Sequence, residues 1–160
     1  MTKIVVTNNQ DFSVEQKERL ESLGEVTYYD TLPKDGAEYL DRVKDAHIIC
    51  SGTAGLQEAY QQLKDVYITV AFVSVAFVDV NVLEKNNVTI SNAPGANRHA
   101  VSEWIMAMVT LLMRNLPDAI NREETYRKDG SLPPITPGLA GNKITVLGQG
   151  NVGRRVGELA

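Results

Sequence analysis

Three glycines stand at Gly148-x-Gly150-x-x-Gly153, directly after the apolar run Ile144-Thr145-Val146-Leu147 and before a helical pattern that opens at Val152. In this context the first glycine permits a tight turn, the second lets a pyrophosphate approach the backbone, and the third lets helix and strand pack closely. The helix N-terminus adds free N–H groups and a partial positive charge. The chemistry is cradling of a phosphate, with a dinucleotide the foremost ligand. Flavin nucleotides and S-adenosylmethionine use related turns, and plain helix–strand packing is the bland alternative. The acidic residue that grips a dinucleotide ribose is expected about 20 residues beyond the glycines, and the last residue here is Ala160.

The other chemically capable side chains are sparse. His47 opens a strand after Asp45-Ala46 and has no evident partner acid, so it reads as a partly buried structural histidine. His99 sits at a helix start, where the dipole disfavours its charged form, and a structural or substrate-proximal role is expected. Cys50 ends a strand run and reads as a small core residue. Glu103 reads as a buried hydrogen-bonding or helix-start residue, and Arg122-Glu123-Glu124 as a solvated face. No metal site is expected.

These residues hang on a regular succession of elements. Short β-branched runs begin at Ile4, Val26, Ile48, Ile68 and Val88, with helical patterns between them. A spacing of about 20 residues is the cadence of βα units and a parallel sheet. Ser13 with Gln16 forms a capping box for the first helix, whose Val14, Leu20 and Leu23 are expected to face inward and which Gly24 should stop. Asp35 with Glu38 starts a second helix striped by Tyr39, Leu40 and Val43. Shorter helices should follow Leu56 and Asp79. Asn92-Ala93-Pro94-Gly95-Ala96 then breaks the pattern and suits a hinge or crossover.

A long helix follows. Ala100, Val101, Trp104, Ile105, Met108, Leu111 and Leu112 keep the helical period, and Met106, Val109 and Met113 make it apolar almost all round. Such a helix is expected to be buried on every side, in a core or a subunit interface. Pro117 should kink or end it, with an amphipathic segment over 118–126. Residues 132–138 (Leu-Pro-Pro-Ile-Thr-Pro-Gly) read as an extended loop, and 143–147 as a further strand.

A chain of 160 residues with 43% hydrophobic and 22% charged side chains falls in the globular class and excludes disorder or a disulfide framework. Sixteen basic against twenty acidic residues give −4, which argues against general affinity for nucleic acid or anionic membrane. One cysteine fits a reducing cytosol, and the apolar runs fall short of the roughly 20 residues a membrane span needs. A cytoplasmic protein is expected.

The order of the pieces carries a resemblance. A small βα layer is followed by Ser91-Asn92-Ala93-Pro94-Gly95-Ala96-Asn97-Arg98-His99-Ala100-Val101-Ser102-Glu103, by an apolar helix ending in Leu112-Met113-Arg114-Asn115-Leu116-Pro117, and by Gly141-Asn142-Lys143-Ile144-Thr145-Val146-Leu147-Gly148-Gln149-Gly150-Asn151-Val152-Gly153. The chain resembles the N-terminal half of the D-isomer-specific 2-hydroxyacid dehydrogenases, a family that includes formate, glycerate and phosphoglycerate dehydrogenases. The resemblance is strongest over 88–153.

It implies an α/β fold: a flavodoxin-like doubly wound parallel sheet over 1–95 as the substrate domain, then a long helix and the first βα unit of a Rossmann domain over 96–160. It implies that the backbone of Val73 and Ser74 holds a substrate carboxylate and that Asn97 lies beside nicotinamide and substrate. Gly148, Gly150, Asn151, Val152 and Gly153 match the phosphate-binding turn, and Asp79 the acidic residue closing the carboxylate loop. Ser74 stands where the family usually has glycine, and Ala76 where Asp or Asn is common. The implied reaction is hydride transfer between a nicotinamide cofactor, NAD with NADP not excluded, and a small 2-hydroxy or 2-oxo acid. The family's arginine, glutamate and histidine match no residue here, so no catalytic residue is assigned. The isolated chain is expected to be inactive and to bind cofactor weakly or not at all. The helix over 98–116 resembles one that packs in the family's dimer interface. The alternative is a non-enzymatic truncated α/β module that self-associates through that helix. A receiver domain lacks its acidic residues, since Thr7-Asn8-Asn9 and Cys50-Ser51-Gly52 occupy their places, and a flavin module rests on fold analogy alone.

Overall fold

The computed structural model describes residues 1–132 and 135–160. The chain divides into two compact units, Met1–Pro94 and Gly95–Ala160.

In the first unit five short strands, β1 (Lys3–Val6), β2 (Glu25–Tyr28), β3 (Ile48–Ser51), β4 (Tyr67–Val70) and β5 (Thr89–Ser91), form one sheet in the order β2-β1-β3-β4-β5. All four pairings are parallel, as Ile4 beside Ile48 and Ile68 beside Ile90 illustrate. Side chains alternate across a strand, and each face has its own cluster. Val5, Ile49, Ile68 and Val70 meet Tyr39 and Val43 of α2 (Gly36–Val43), Leu56 and Ala59 of α3 (Leu56–Ala59), and Leu83 of α4 (Val80–Lys85). Ile4, Val6 and Cys50 point the other way, towards Phe12 and Leu20, the latter on α1 (Val14–Glu21). Ile49, Ile68 and Leu56 are fully buried, each contributing about 1.5–3 kcal/mol.

The capping box forms: Ser13 Oγ accepts from the Gln16 N–H, and Gln16 Oε1 accepts from the Ser13 N–H at 2.8 Å. Asp35 caps α2 by accepting from the Glu38 N–H at 2.8 Å. Glu38 in turn pairs with the buried Arg42, and its carboxyl is held below the usual range by the Lys34 N–H and then by Arg42.

Three local expectations need correction. Val14 and Leu23 are 74% and 66% exposed, and only Leu20 reaches the core. A helix of eight residues at the sheet's margin needs one anchoring side chain rather than a full stripe. Gly24 is not the cap of α1, which ends at Glu21 with Ser22 as its C-cap. Its absent side chain matters because a Cβ there would lie 2.2 Å from the Thr2 carbonyl oxygen. His47 is exposed rather than partly buried, and its Nδ1 accepts from the Lys3 N–H at 2.9 Å. Cys50 is buried as expected, and burial pushes its thiol pKa up.

The sheet reverses its order between β1 and β3, where such folds carry ligand crevices beyond the strand ends. Here that place holds a hydrogen-bonded plug. The buried Tyr39 hydroxyl donates to Ser51 Oγ at 2.9 Å, and Ser51 donates to the Gly52 carbonyl at 2.6 Å. Arg42 donates to the carbonyls of Thr7 and Thr31 at 2.7 and 2.6 Å. These groups spend their bonding capacity on one another, and burial pushes the Tyr39 hydroxyl pKa well up.

The second unit is built of helices: α5 (Arg98–Met113), α6 (Leu116–Asn121), α7 (Glu123–Asp129) and α8 (Asn151–Leu159). α5 packs against α8. It is not buried all round: Trp104 and Leu112 are 64% and 71% exposed, Glu103 is exposed, and only Ser102 is buried. An apolar sequence demands a partner surface without supplying one. Pro117 does not end α5. The chain turns at Asn115, with φ 46°, and Pro117 falls in the first turn of α6, where a missing N–H costs nothing. Residues 143–147 form no strand, because no described segment of the unit pairs with them. Of the loop expected over 132–138, Pro133 and Pro134 lie outside the described residues, and Ile135 is fully exposed.

Candidate functional site

The residues singled out by sequence fall into two sets. Val73 and Ser74 lie in Met1–Pro94, on the loop between β4 and α4. Asn97 and the glycine turn lie in Gly95–Ala160.

The loop leaves β4 through a tight turn in which the Phe72 N–H donates to the Val70 carbonyl at 2.8 Å. It ends at Asp79, which caps α4 by accepting from the Asn81 N–H at 2.9 Å. Ser74 is exposed, and its Oγ accepts from the Ala76 N–H at 3.3 Å. Among the described residues the N–H groups of Val73, Ser74 and Val75 find no acceptor. Backbone donors left open in a loop are satisfied by water or by a ligand anion. Asp79 therefore acts on the loop's end, as a helix cap.

In the second unit Asn97 is the N-cap residue of α5, yet its side chain makes no capping bond. Its carboxamide is exposed and available. Gly148 adopts φ +98°, a conformation closed in practice to residues with a side chain. Gly150 is the N-cap of α8, and a Cβ built there would meet nothing within 4 Å. At Gly153 a Cβ would lie 2.1 Å from the Gly148 carbonyl oxygen and 3.3 Å from Val146. The three glycines thus have three different reasons: a dihedral, an open approach, and a close packing. The first N–H groups of a nine-residue helix have no partner inside it, and a glycine cap offers none.

Sequence reading passed over the charge beside this turn. Arg98, His99, Asn151, Arg154, Arg155 and Glu158 line a cavity of about 280 Å³. Arg155 Nη1 donates to Glu158 Oε2 at 2.8 Å. That bond, followed by the charges of Arg155 and Arg98, holds the Glu158 carboxyl below its usual range. Three arginines against one glutamate leave positive potential beside the N-terminus of α8, which favours an anion. The signal was Arg154-Arg155 immediately after Gly153. His99 lines the same cavity, its Nε2 accepting from Arg98 Nε at 3.2 Å. The described residues contain no group of three or more His, Cys, Asp or Glu placed to hold a metal ion. No helix among them is long and apolar enough to cross a membrane.

Comparison with known proteins gives this geometry a context. The chain is 28% identical over 134 residues to a D-3-phosphoglycerate dehydrogenase of Haemophilus influenzae, an alignment covering 79% of this chain and 31% of that one. Its fold matches an acyclic imino acid reductase solved with NADPH and D-Arg, with a TM-score of 0.74, 22% identity, and coverage of 99% of this chain and 52% of the other. It also matches the NAD+-bound 3-phosphoglycerate dehydrogenase of Entamoeba histolytica, with a TM-score of 0.66, 21% identity, and coverage of 99% and 50%. The chain spans about a third of the curated relative and about half of the solved structures. The family described as D-isomer specific 2-hydroxyacid dehydrogenase, catalytic domain, matches residues 4–152. That span takes in the loop after β4 and the first two glycines of the turn, Gly148 and Gly150, and the chain belongs to the D-isomer-specific 2-hydroxyacid dehydrogenase family.

Proposed function

We propose that the chain is the N-terminal portion of an oxidoreductase that moves hydride between a nicotinamide cofactor and a small 2-hydroxy or 2-oxo acid. The observation that carries this reading is the geometry of the glycine turn, at the end of a family match over residues 4–152: Gly148 at φ +98°, open space over Gly150, and Gly153 packed on Gly148. That arrangement fits a dinucleotide pyrophosphate, which Gly148, Gly150, Asn151, Val152 and Gly153 would hold through backbone N–H groups. The cofactor, when bound, supplies the hydride chemistry. NAD is our assignment over NADP.

In this reading the chain's own residues bind and orient. Val73 and Ser74 offer backbone donors to the substrate carboxylate, and Asn97 offers a carboxamide beside nicotinamide and substrate. Residues 1–95 form the substrate domain, and 96–160 the first part of the nucleotide-binding domain. No residue of the chain is assigned to proton transfer, so the 160-residue chain by itself is inactive. Its cytoplasmic placement is supported by the single cysteine. Incubation of the purified chain with NADH and pyruvate, glyoxylate or hydroxypyruvate, followed at 340 nm, tests the assignment. No turnover is expected, and turnover contradicts it. A titration with NADH is expected to show weak or undetectable binding.

A specific observation favours a second reading alongside the first. Trp104 and Leu112 expose a broad apolar face on α5, and a homodimer built through that helix would cover it. Sedimentation across a dilution series decides. A persistent monomer contradicts the dimer.

A further inference from the structure

The loop after β4 is tied to the segment that follows β5. Asn92 Nδ2 donates to the Val73 carbonyl at 2.9 Å, and the Ala93 N–H donates to the Phe72 carbonyl, also at 2.9 Å. Both bonds lie within Met1–Pro94. In a planar trans peptide the carbonyl of one residue and the N–H of the next point in opposite directions. Fixing the Phe72 carbonyl on Ala93 therefore turns the Val73 N–H away from the 92–93 segment. Fixing the Val73 carbonyl on Asn92 does the same for the Ser74 N–H. These two N–H groups, with that of Val75, have no acceptor among the described residues. The half-buried Asn92 spends its donor on the one carbonyl whose partner N–H is the outward-facing one of Ser74.

We propose that Asn92 is a positioning residue for a carboxylate-binding loop: its side chain aims the Ser74 N–H, as Ala93 aims that of Val73, at the carboxylate of a small 2-oxo or 2-hydroxy acid. The proposal rests on the functional reading given above and adds to it the residue that sets the loop's direction. The Ser74 side chain is folded onto Ala76, its Oγ accepting from the Ala76 N–H. The orientation of its N–H is then imposed from outside the loop, by Asn92.

The test is a titration of the 160-residue chain with pyruvate, read in amide nitrogen–proton correlation spectra. In the wild type the Val73, Ser74 and Val75 amides shift and saturate. In Asn92→Ala the same shifts require about fivefold or more pyruvate, the equivalent of one lost hydrogen bond, while the amides of β3 and β4 keep their positions. Asn92→Gln, which keeps the carboxamide on a longer arm, recovers part of the affinity. Should Asn92→Ala not fold, Asn92→Ser takes its place, since its hydroxyl keeps the spot polar but falls short of Val73. Equal affinity in the wild type and a folded Asn92→Ala or Asn92→Ser overturns the role of Asn92 and leaves the loop's role standing. Absence of any loop shift in the wild type overturns the carboxylate reading itself, and the role of Asn92 with it.

Discussion

Met1–Pro94 and Gly95–Ala160 are built on opposite terms. Among the described residues every buried apolar side chain except Val156 lies in the first unit. That unit closes a five-stranded sheet, covers both faces, and satisfies its buried polar groups internally. The second has helices whose apolar residues are mostly half-buried or exposed and, among the described residues, an apolar run, 143–147, without strand partners. Yet it carries a demanding local geometry, with Gly148 at φ +98° and Gly153 against Gly148. A glycine turn can therefore be shaped by a few residues, whereas stability needs a shared core.

The contrast can be attacked first at its strongest point. Ile49 is fully buried in β3, so Ile49→Ala should cost about 2–5 kcal/mol in urea unfolding. A loss under about 1 kcal/mol would mean that the core does not hold the first unit together. The next effect is on pH dependence. Burial raises the pKa of the Tyr39 hydroxyl and the Cys50 thiol in the folded chain. Each therefore contributes stability that is complete below its unfolded pKa, 9.0 for the thiol and 10.0 for the phenol, and that is lost as pH climbs beyond it. Unfolding midpoints should fall above pH 9 in the wild type and fall less in Tyr39→Phe combined with Cys50→Ser; identical pH profiles would contradict the burial argument.

A smaller change is expected from Ser13→Ala, which removes the α1 capping box and should cost about 1 kcal/mol by urea titration. The smallest comes from the other unit. Gly153→Ala places a Cβ against the Gly148 carbonyl and should displace α8, seen as lost helical circular dichroism. The unfolding midpoint of the sheet should stay where it is. A large shift in that midpoint would show that the two units unfold as one.

What the sequence disclosed and what it withheld have physical reasons. The five strands were legible because β-branched runs such as Ile4-Val5-Val6 and Ile48-Ile49-Cys50 recur at βα spacing. The caps at Ser13 and Asp35 were legible because they are local. Burial was not, where it depended on a distant surface: the apolar pattern of α5 looks the same whether Trp104 is covered or open. The run 143–147 has strand composition, but a strand exists only by pairing, and pairing is not a local property. The glycine turn showed in spacing alone, whereas the cationic cavity joins Arg98 to Arg154 and Arg155 across the helix pair α5 and α8. The link from Asn92 to Val73 left no pattern, since a side chain reaching a carbonyl on another loop has no periodicity.

Native-state hydrogen exchange, resolved by residue, tests the contrast most directly. Amides of β3 and β4, such as Ile49 and Ile68, should exchange only through global unfolding, while those of α5 and α8 should exchange through local opening at far lower cost. Equal protection of Ile68 and Val156 would contradict the account, because it would require a core in Gly95–Ala160 as complete as that in Met1–Pro94.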